Sequence, residues 1–295
     1  MDRRQFVIGA GALAAASALA WPALAAFASD RITVITEGDG PDVILVHGLS
    51  SSRDVWRGLV DRMKGRNRFH LVQVGGYAGA PVGANAEGPV AAPVAEEIAR
   101  YITESGLQRP AIIGHSMGGT IALMVAARHP TAVGRVMVVD MVPFMGPIYG
   151  GPTATSESVR PIAEQTRQRM LTAEQAAYDA QQAAVLDTMV ATKSALPVVT
   201  QHSRTSHRAA AANAMAELIV TDLRDELANI TAPTTVLYVH TPTYPITAEQ
   251  LDFVYRASYA KLKGVKLVRI PDSLHFIMID QPDRFVQEVT TFLGA

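Results

Sequence analysis

The chain has no cysteine among its 295 residues. That absence excludes a disulfide framework, a thiolate metal site, a cysteine nucleophile and a lipid anchor on cysteine. An excess of charge is missing too. The 26 basic and 27 acidic residues give a formal net charge of −1, so nothing supplies the basic footprint that nucleic acid or another polyanion requires. No internal repeat is present. Hydrophobic residues make up 48% of the chain, ample for a core in one large domain or two modest ones.

The N-terminus is set apart by its composition. Arg3 and Arg4 precede Gln5 and Phe6, and an Ala/Gly/Leu-rich apolar run extends to Trp21. This opening resembles a twin-arginine export signal, and Ala23-Leu24-Ala25 and Ala26-Phe27-Ala28 each offer a small-residue cleavage site. Residues 1–28 are therefore expected to be a signal peptide that is removed, leaving an exported chain, periplasmic or secreted, with no stable membrane insertion. The competing reading is an uncleaved anchor, because the run approaches the length of a spanning helix. Its Ala/Gly-rich core is only mildly hydrophobic, which favours cleavage. Loss of Asp2, Arg3 and Arg4 leaves 24 basic and 26 acidic residues, and the exclusion of polyanion partners stands.

Beyond residue 28, β-branched runs alternate with helical spacing. Strand signals fall at Arg31–Thr36, Val43–Val46, Phe69–Val74, Ala111–Ile113 and Val136–Val139, with helical signals at Val90–Glu104 and Met117–Arg128. That rhythm predicts an α/β fold with a mostly parallel central sheet and helices on both faces. From about Met141 to Thr231 no buried strand is legible, only helical stretches such as Thr172–Ala191 and His207–Val220. Strands resume at Thr234–Val239 and Val265–Ile270, with helices at Ala248–Lys261 and Asp283–Leu293. The expected organisation is one α/β core, residues 29–145 and 231–295, interrupted by a helical cap at 146–230.

The sharpest chemical signal is Gly114-His115-Ser116-Met117-Gly118, lodged between a strand and a helix. This is the context a nucleophile elbow requires. The turn crowds the backbone at Gly114 and Gly118, and it lifts Ser116 above the sheet. At the helix start, the Met117 N–H is free to stabilise negative charge on a nearby oxygen. A second piece, His47-Gly48-Leu49, ends the earlier buried strand. Together with Trp56, Gly119 and a late histidine, these motifs resemble the α/β-hydrolase superfamily over essentially the whole chain between the leader and the C-terminus, except the insertion. The resemblance implies a helical cap on the α/β-hydrolase fold, with the Leu49 N–H as the other oxyanion donor. His47 then holds its loop by hydrogen bonds.

A serine needs a base. Among eight histidines, His275 lies after the last strand and before the last helix, which agrees with the order of nucleophile first and histidine last. His115 lies beside the nucleophile but is expected to point elsewhere. His70, His129 and His240 mark strand or helix positions, and the five-residue spacing of His202 and His207 suits no shared metal. The superfamily's common acid position, in the loop after Thr234–Val239, reads His240-Thr241-Pro242-Thr243-Tyr244-Pro245 and has no carboxylate. Asp140, at the end of the preceding core strand, is the expected substitute. Asp272 is the alternative, though three residues of loop seldom return a carboxylate to the correct ring nitrogen. Asp140 read otherwise is simply a loop cap.

The expected chemistry is ester hydrolysis through an acyl-enzyme, with no metal or organic cofactor and a small-molecule substrate. Phe144, Met145, Ile148 and Tyr149 begin the insertion with apolar surface and are the expected pocket residues. A lactonase or C–C bond hydrolase would use the same residues. The rival from another class is a non-catalytic binding module, for which the missing carboxylate would be the sign. Ser116 disfavours the aspartate-nucleophile branches, dehalogenases and epoxide hydrolases.

Overall fold

The computed structural model describes residues 27–241 and 245–294. Four strands are apolar nearly throughout: β2 (Asp42–Val46), β4 (Ala111–His115), β5 (Arg135–Val139) and β6 (Thr234–Val239). Strands of that kind are stable only with both faces covered, and they occupy the middle of the sheet. β1 (Ile32–Glu37), β3 (Arg68–Val74) and β7 (Lys266–Ile270) complete the order β1-β3-β2-β4-β5-β6-β7. β1 pairs antiparallel with β3 and every other pair is parallel.

Alternation along each strand divides the core in two. Ile44, Val46, Ile112, Val136, Val138 and Val236 face one layer, formed with α2 (Ala91–Glu104), α3 (Met117–Arg128) and α9 (Ala248–Ser258). Val43, Leu45, Ile113, Met137, Val139 and Leu237 face the other, formed with α1 (Arg57–Met63), α10 (Ile277–Asp280) and α11 (Pro282–Leu293). There Trp56 stacks on Phe285 with centroids 6.0 Å apart. Residues Met117 to Ala127 of α3 are all buried, because its glycine and alanine content lets the helix lie close to the sheet.

Between β2 and β4 the chain reverses its direction of winding: β3 is added on one side of β2, then β4 on the other. Such a switch point opens a crevice at the carboxyl ends of the strands, where ligands of α/β proteins bind. The loops after β2 and β4 flank it.

Five helices separate β5 from β6: α4 (Gly146–Gly150), α5 (Ser156–Thr172), α6 (Gln175–Met189), α7 (Leu196–Arg204) and α8 (Arg208–Val220). Their entry and exit are bonded to each other, Phe144 bridging Asp222 and the Leu223 N–H donating to Pro143 O at 3.0 Å. The segment is also tied to the sheet layers. Glu217 accepts the N–H groups of Val90, Ala91 and Ala92 at 2.6–2.8 Å, and so caps α2.

Some boundaries differ from the sequence expectation. The stretch Thr172–Ala191 holds one helix, α6, with later bounds: Thr172 ends α5, and Glu174 starts α6 by accepting the Ala177 N–H at 3.1 Å. The helix expected to reach Lys261 ends at Ser258. Residues 1–26, and with them most of the expected signal peptide, lie outside the described residues. Phe27 and Ala28 lie within them and pack on α2. The Phe27 ring meets Tyr101 edge-on at 5.0 Å and sits under the Arg100 guanidinium at 4.4 Å, while Arg100 donates to Ala28 O at 2.7 Å. No helix among the described residues is long and apolar enough to cross a membrane.

Candidate active site

The turn from β4 into α3 is held by close backbone packing. A Cβ on Gly114 would lie 2.0 Å from Gly118 O, and one on Gly118 would lie 2.2 Å from Val46 O. Only glycine permits that approach, and it draws the end of β2 against the elbow. Ser116, at the apex, has φ +53°, a left-handed conformation that a non-glycine residue adopts only under constraint. Its own N–H donates to Val139 O at 2.9 Å, and its carbonyl accepts from Gly119 and Thr120. Met117 begins the helix, so its N–H has no intrahelical acceptor.

The β2 loop lies directly against the serine. A Cβ on Gly48 would be 3.1 Å from Ser116 Cβ, and Leu49 follows, with Ser50 at φ +51°. His47, fully buried, fixes this loop. Its Nδ1–H donates to Gly48 O at 2.8 Å, and its Nε2 accepts the Val74 N–H at 3.0 Å. With one nitrogen donating and the other accepting, the ring is neutral. Burial lowers its pKa to about 4.

That depression carries a prediction for stability. The unfolded chain takes up a proton at His47 below about pH 6.5 while the folded chain refuses it until about pH 4. Stability therefore declines as pH falls through that window, by about 3 kcal/mol in total at this residue, and levels off below it. His115, buried and held well below the ordinary histidine range, acts in the same direction. Carboxylates kept low by arginine partners, such as Glu37 beside Arg57, lose their contribution only at lower pH still. The expected result is a Tm that drops steadily between pH 7 and pH 4.5. A flat profile there contradicts the neutral buried His47.

His275 lies in the loop between β7 and α10. Its Nδ1 is 2.6 Å from Asp140 Oδ2. Asp140 directly follows β5 with φ +52°, and its side chain is only 8% exposed, against 19% for His275. Its Oδ1 accepts the Val239 N–H and the Tyr255 hydroxyl, each at 3.2 Å. A carboxylate only accepts, so Nδ1 of His275 carries a proton, and in the neutral imidazole the lone pair is then on Nε2. Asp272 is exposed, and its carbonyl accepts from Gln281. Of the six non-glycine residues with positive φ among the described residues, Ser50, Ser116, Asp140 and Asp272 all lie in loops at the carboxyl ends of β2, β4, β5 and β7. Backbone strain thus gathers at the end of the sheet that carries Ser116, Asp140 and His275.

Three supports of this assembly were not anticipated from the sequence. His115, expected to point elsewhere, packs its ring 4.6 Å from that of His275, and its Nε2–H donates to His275 O at 3.0 Å. The residue before the serine thus seats the loop that bears the histidine. Asp280 accepts the Leu274 N–H at 2.9 Å, and also the N–H groups of Ala191 and Thr192 after α6. Tyr255 reaches the carboxylate from α9. Their signals were invisible because each acts across a distance of 75 residues or more, or through a main-chain atom.

The expected pocket residues separate. Phe144 is 3% exposed, clustered with Val159, Ala163 and Ile219 and covered by the Arg224 guanidinium at 4.7 Å. It is core of the helical segment, not a free wall. Ile148 is 70% exposed, and the Tyr149 hydroxyl donates to Met215 Sδ at 3.7 Å. Met145 packs on the core layer of α3. Apolar residues that follow a strand serve the insertion's own packing as readily as a ligand, and residue type alone does not separate the uses. A groove of about 700 Å³ lined by Glu87, Glu164, Arg167, Asn213 and Glu217 lies apart from Ser116 and His275. Among the described residues no three His, Cys, Asp or Glu side chains gather as a metal site does.

Comparison with known proteins places this geometry in context. Residues 41–282 match the model of the alpha/beta hydrolase fold. The chain is similar to pimeloyl-[acyl-carrier protein] methyl ester esterases. It is 31% identical over 112 residues to that of Aeromonas hydrophila subsp. hydrophila, which covers 38% of this chain and 42% of the relative. It is 32% identical over 108 residues to that of Vibrio vulnificus, covering 37% and 40%. The chain thus spans about two-fifths of the length of these relatives. Among solved structures, a hydrolase from Pseudomonas aeruginosa PA01 superposes with a TM-score of 0.73 at 20% identity, covering 90% of this chain and 94% of that one. An esterase from Exiguobacterium antarcticum gives 0.72 at 20% identity, covering 90% and 96%. With most of its length matching the family model and its sheet superposing on these structures, the chain belongs to the alpha/beta hydrolase fold family.

Proposed function

We propose that the protein hydrolyses small-molecule carboxylic esters through an acyl-enzyme on Ser116. The single observation that carries this reading is the His275 Nδ1 to Asp140 Oδ2 bond of 2.6 Å, which leaves Nε2 as a base at the strand ends that also bear the Ser116 elbow. His275 Nε2 takes the Ser116 proton as Oγ attacks the ester carbonyl carbon. The Leu49 and Met117 N–H groups hold the resulting oxyanion. Collapse of the tetrahedral intermediate expels the alcohol, which receives the proton from His275. Water then attacks the acyl-enzyme by the same path, releasing the acid and restoring Ser116. His47 and Gly48 support the oxyanion loop, and no step requires a metal or an organic cofactor.

Esterase is preferred within the family because the curated relatives named above are methyl ester esterases, and because the elbow carries serine. The test is a hydrolysis screen of p-nitrophenyl esters of graded acyl length beside lactones, together with labelling by a fluorophosphonate. Ester turnover and covalent labelling at Ser116 are expected. A folded protein that neither labels nor hydrolyses any ester supports the binding-module alternative.

Export is part of the same proposal, with cleavage after Ala25 rather than Ala28. Phe27 supplies an apolar contact to Tyr101 and a ring face to Arg100, and removing it would expose part of α2. The exported chain is expected to begin at Ala26. An intact mass starting at Ser29, or one that includes residues 1–25, overturns this.

A further inference from the structure

The loop after β6, where the superfamily's common acid position falls, has no carboxylate in this sequence. The helix that follows that loop, α9, instead sends a phenol to the carboxylate supplied by β5. The Tyr255 hydroxyl donates to Asp140 Oδ1 at 3.2 Å, on the oxygen that does not meet His275. Tyr255 is 6% exposed, and its ring is fixed by neighbours of the same type. It stacks on Tyr238 of β6 with centroids 4.1 Å apart and planes at 19°, and runs nearly parallel to Tyr259, 6.4 Å away. Tyr259 in turn donates to Met141 O at 2.7 Å, the residue next to the acid. Tyr238 is anchored by its own hydroxyl on Asp252 at 2.8 Å. Tyr255 of α9 and Tyr259, the residue just past its end, therefore grip the strained Asp140–Met141 turn at two consecutive residues.

We infer that Tyr255 is a positioning residue for the reaction, which fixes the Asp140 carboxylate plane and moderates its pull on the His275 proton. The inference depends on the assignment of Ser116, His275 and Asp140 above. Physically, each donor on Oδ1 draws electron density from the carboxylate. Fewer donors make the carboxylate a stronger partner for an imidazolium, and a looser one in orientation. The titratable groups to be considered beside the pair are His115 from the elbow, whose ring packs on His275, and Tyr259, the residue just past the end of α9; Asp280 braces the His275 loop through the Leu274 N–H, Asp272 is exposed three residues before His275, and His240 follows β6, its Nε2–H donating to Ile246 O. Asp280 accepts main-chain N–H groups, and His240 Nε2–H donates to a main-chain carbonyl.

The experiment measures kcat and KM for a p-nitrophenyl ester as a function of pH in wild type, Tyr255→Phe, Asp140→Ala and the double variant, with Tm recorded for each. Tyr255→Phe is expected to lower kcat roughly 10-fold, less than the roughly 100-fold that a 1 Å misplacement can cost, because the Val239 N–H still holds Oδ1, with KM unchanged. The acid limb of kcat/KM is expected to move up by about half a pH unit, because the unmoderated carboxylate favours the imidazolium. In the Asp140→Ala background the same change should have no further effect on kcat. A merely structural tyrosine would lower Tm, leave the limb in place and cost the same in both backgrounds, and that result overturns the inference. Should Tyr255→Phe fail to fold, fluorotyrosine at position 255 keeps the shape and strengthens the donor, and the limb must then move to lower pH. Full activity in Ser116→Ala, by contrast, would remove the underlying assignment, and so the two failures are distinguishable.

Discussion

Ser116→Ala is expected to lower kcat for any ester the protein accepts by roughly 10⁴- to 10⁶-fold, while Tm stays within about 2 °C of wild type. The asymmetry follows from the elbow. Its conformation is imposed by the backbone contacts of Gly114 and Gly118, not by the serine side chain. Alanine occupies the same φ of +53° at no added steric cost. What is lost is the atom that forms the acyl bond. The residual rate comes from the oxyanion donors and from binding, which are untouched. Active-site titration with a fluorophosphonate and a melting curve on the same sample check both halves. Retention of even a tenth of the activity, in a folded variant, would show that another nucleophile is at work.

Asp140→Asn should cost nearly as much, about 10³- to 10⁴-fold in kcat, and the structure says why an amide of the same shape fails. Oδ1 receives two donors, the Val239 N–H and the Tyr255 hydroxyl. The amide oxygen of asparagine must stay there, since its NH₂ group has nothing to offer two donors. The NH₂ is then turned toward His275 Nδ1, which must accept. The imidazole proton moves to Nε2, and His275 presents a donor, not a base, to Ser116. KM is expected to change little. Asp272→Asn is the control, since Asp272 is exposed, and should keep activity within about 3-fold. The opposite ranking, with Asp272 essential and Asp140 dispensable, would refute the assignment of the acid.

How far these roles were legible beforehand depends on how local each one is. The elbow was readable because its geometry is set by five consecutive residues, and the strand and helix on either side announce themselves by apolar run and small-residue content. The two-faced core was readable because Val43 to Val46 and Val136 to Val139 are apolar without interruption. The start of α6 was placed three residues early, at Thr172, since a glutamate at position 174 acts as a cap only when its side chain folds back on Ala177. Phe144 was misread for a similar reason: an aromatic residue after a strand looks alike whether it faces a ligand or, as here, Val159 and Ile219. The role of His115 was obscured because its partner is a main-chain carbonyl 160 residues away, and no side-chain pattern records that.

By itself, then, the amino-acid sequence determined the α/β sheet, the position of the elbow that carries Ser116 and the lateness of the histidine, because those follow from periodicity, backbone sterics and chain order. Only the tertiary structure decided which carboxylate meets the histidine and what holds it there. Asp140 and His275 are 135 residues apart and meet because β5 and β7 flank β6, so the loops at their carboxyl ends converge above it. The Tyr255 hydroxyl joins them only because α9 packs its buried face on that side of the sheet. A hydrogen bond of that kind depends on strand order and on the angle of a helix, and neither quantity is written in any short stretch of residues.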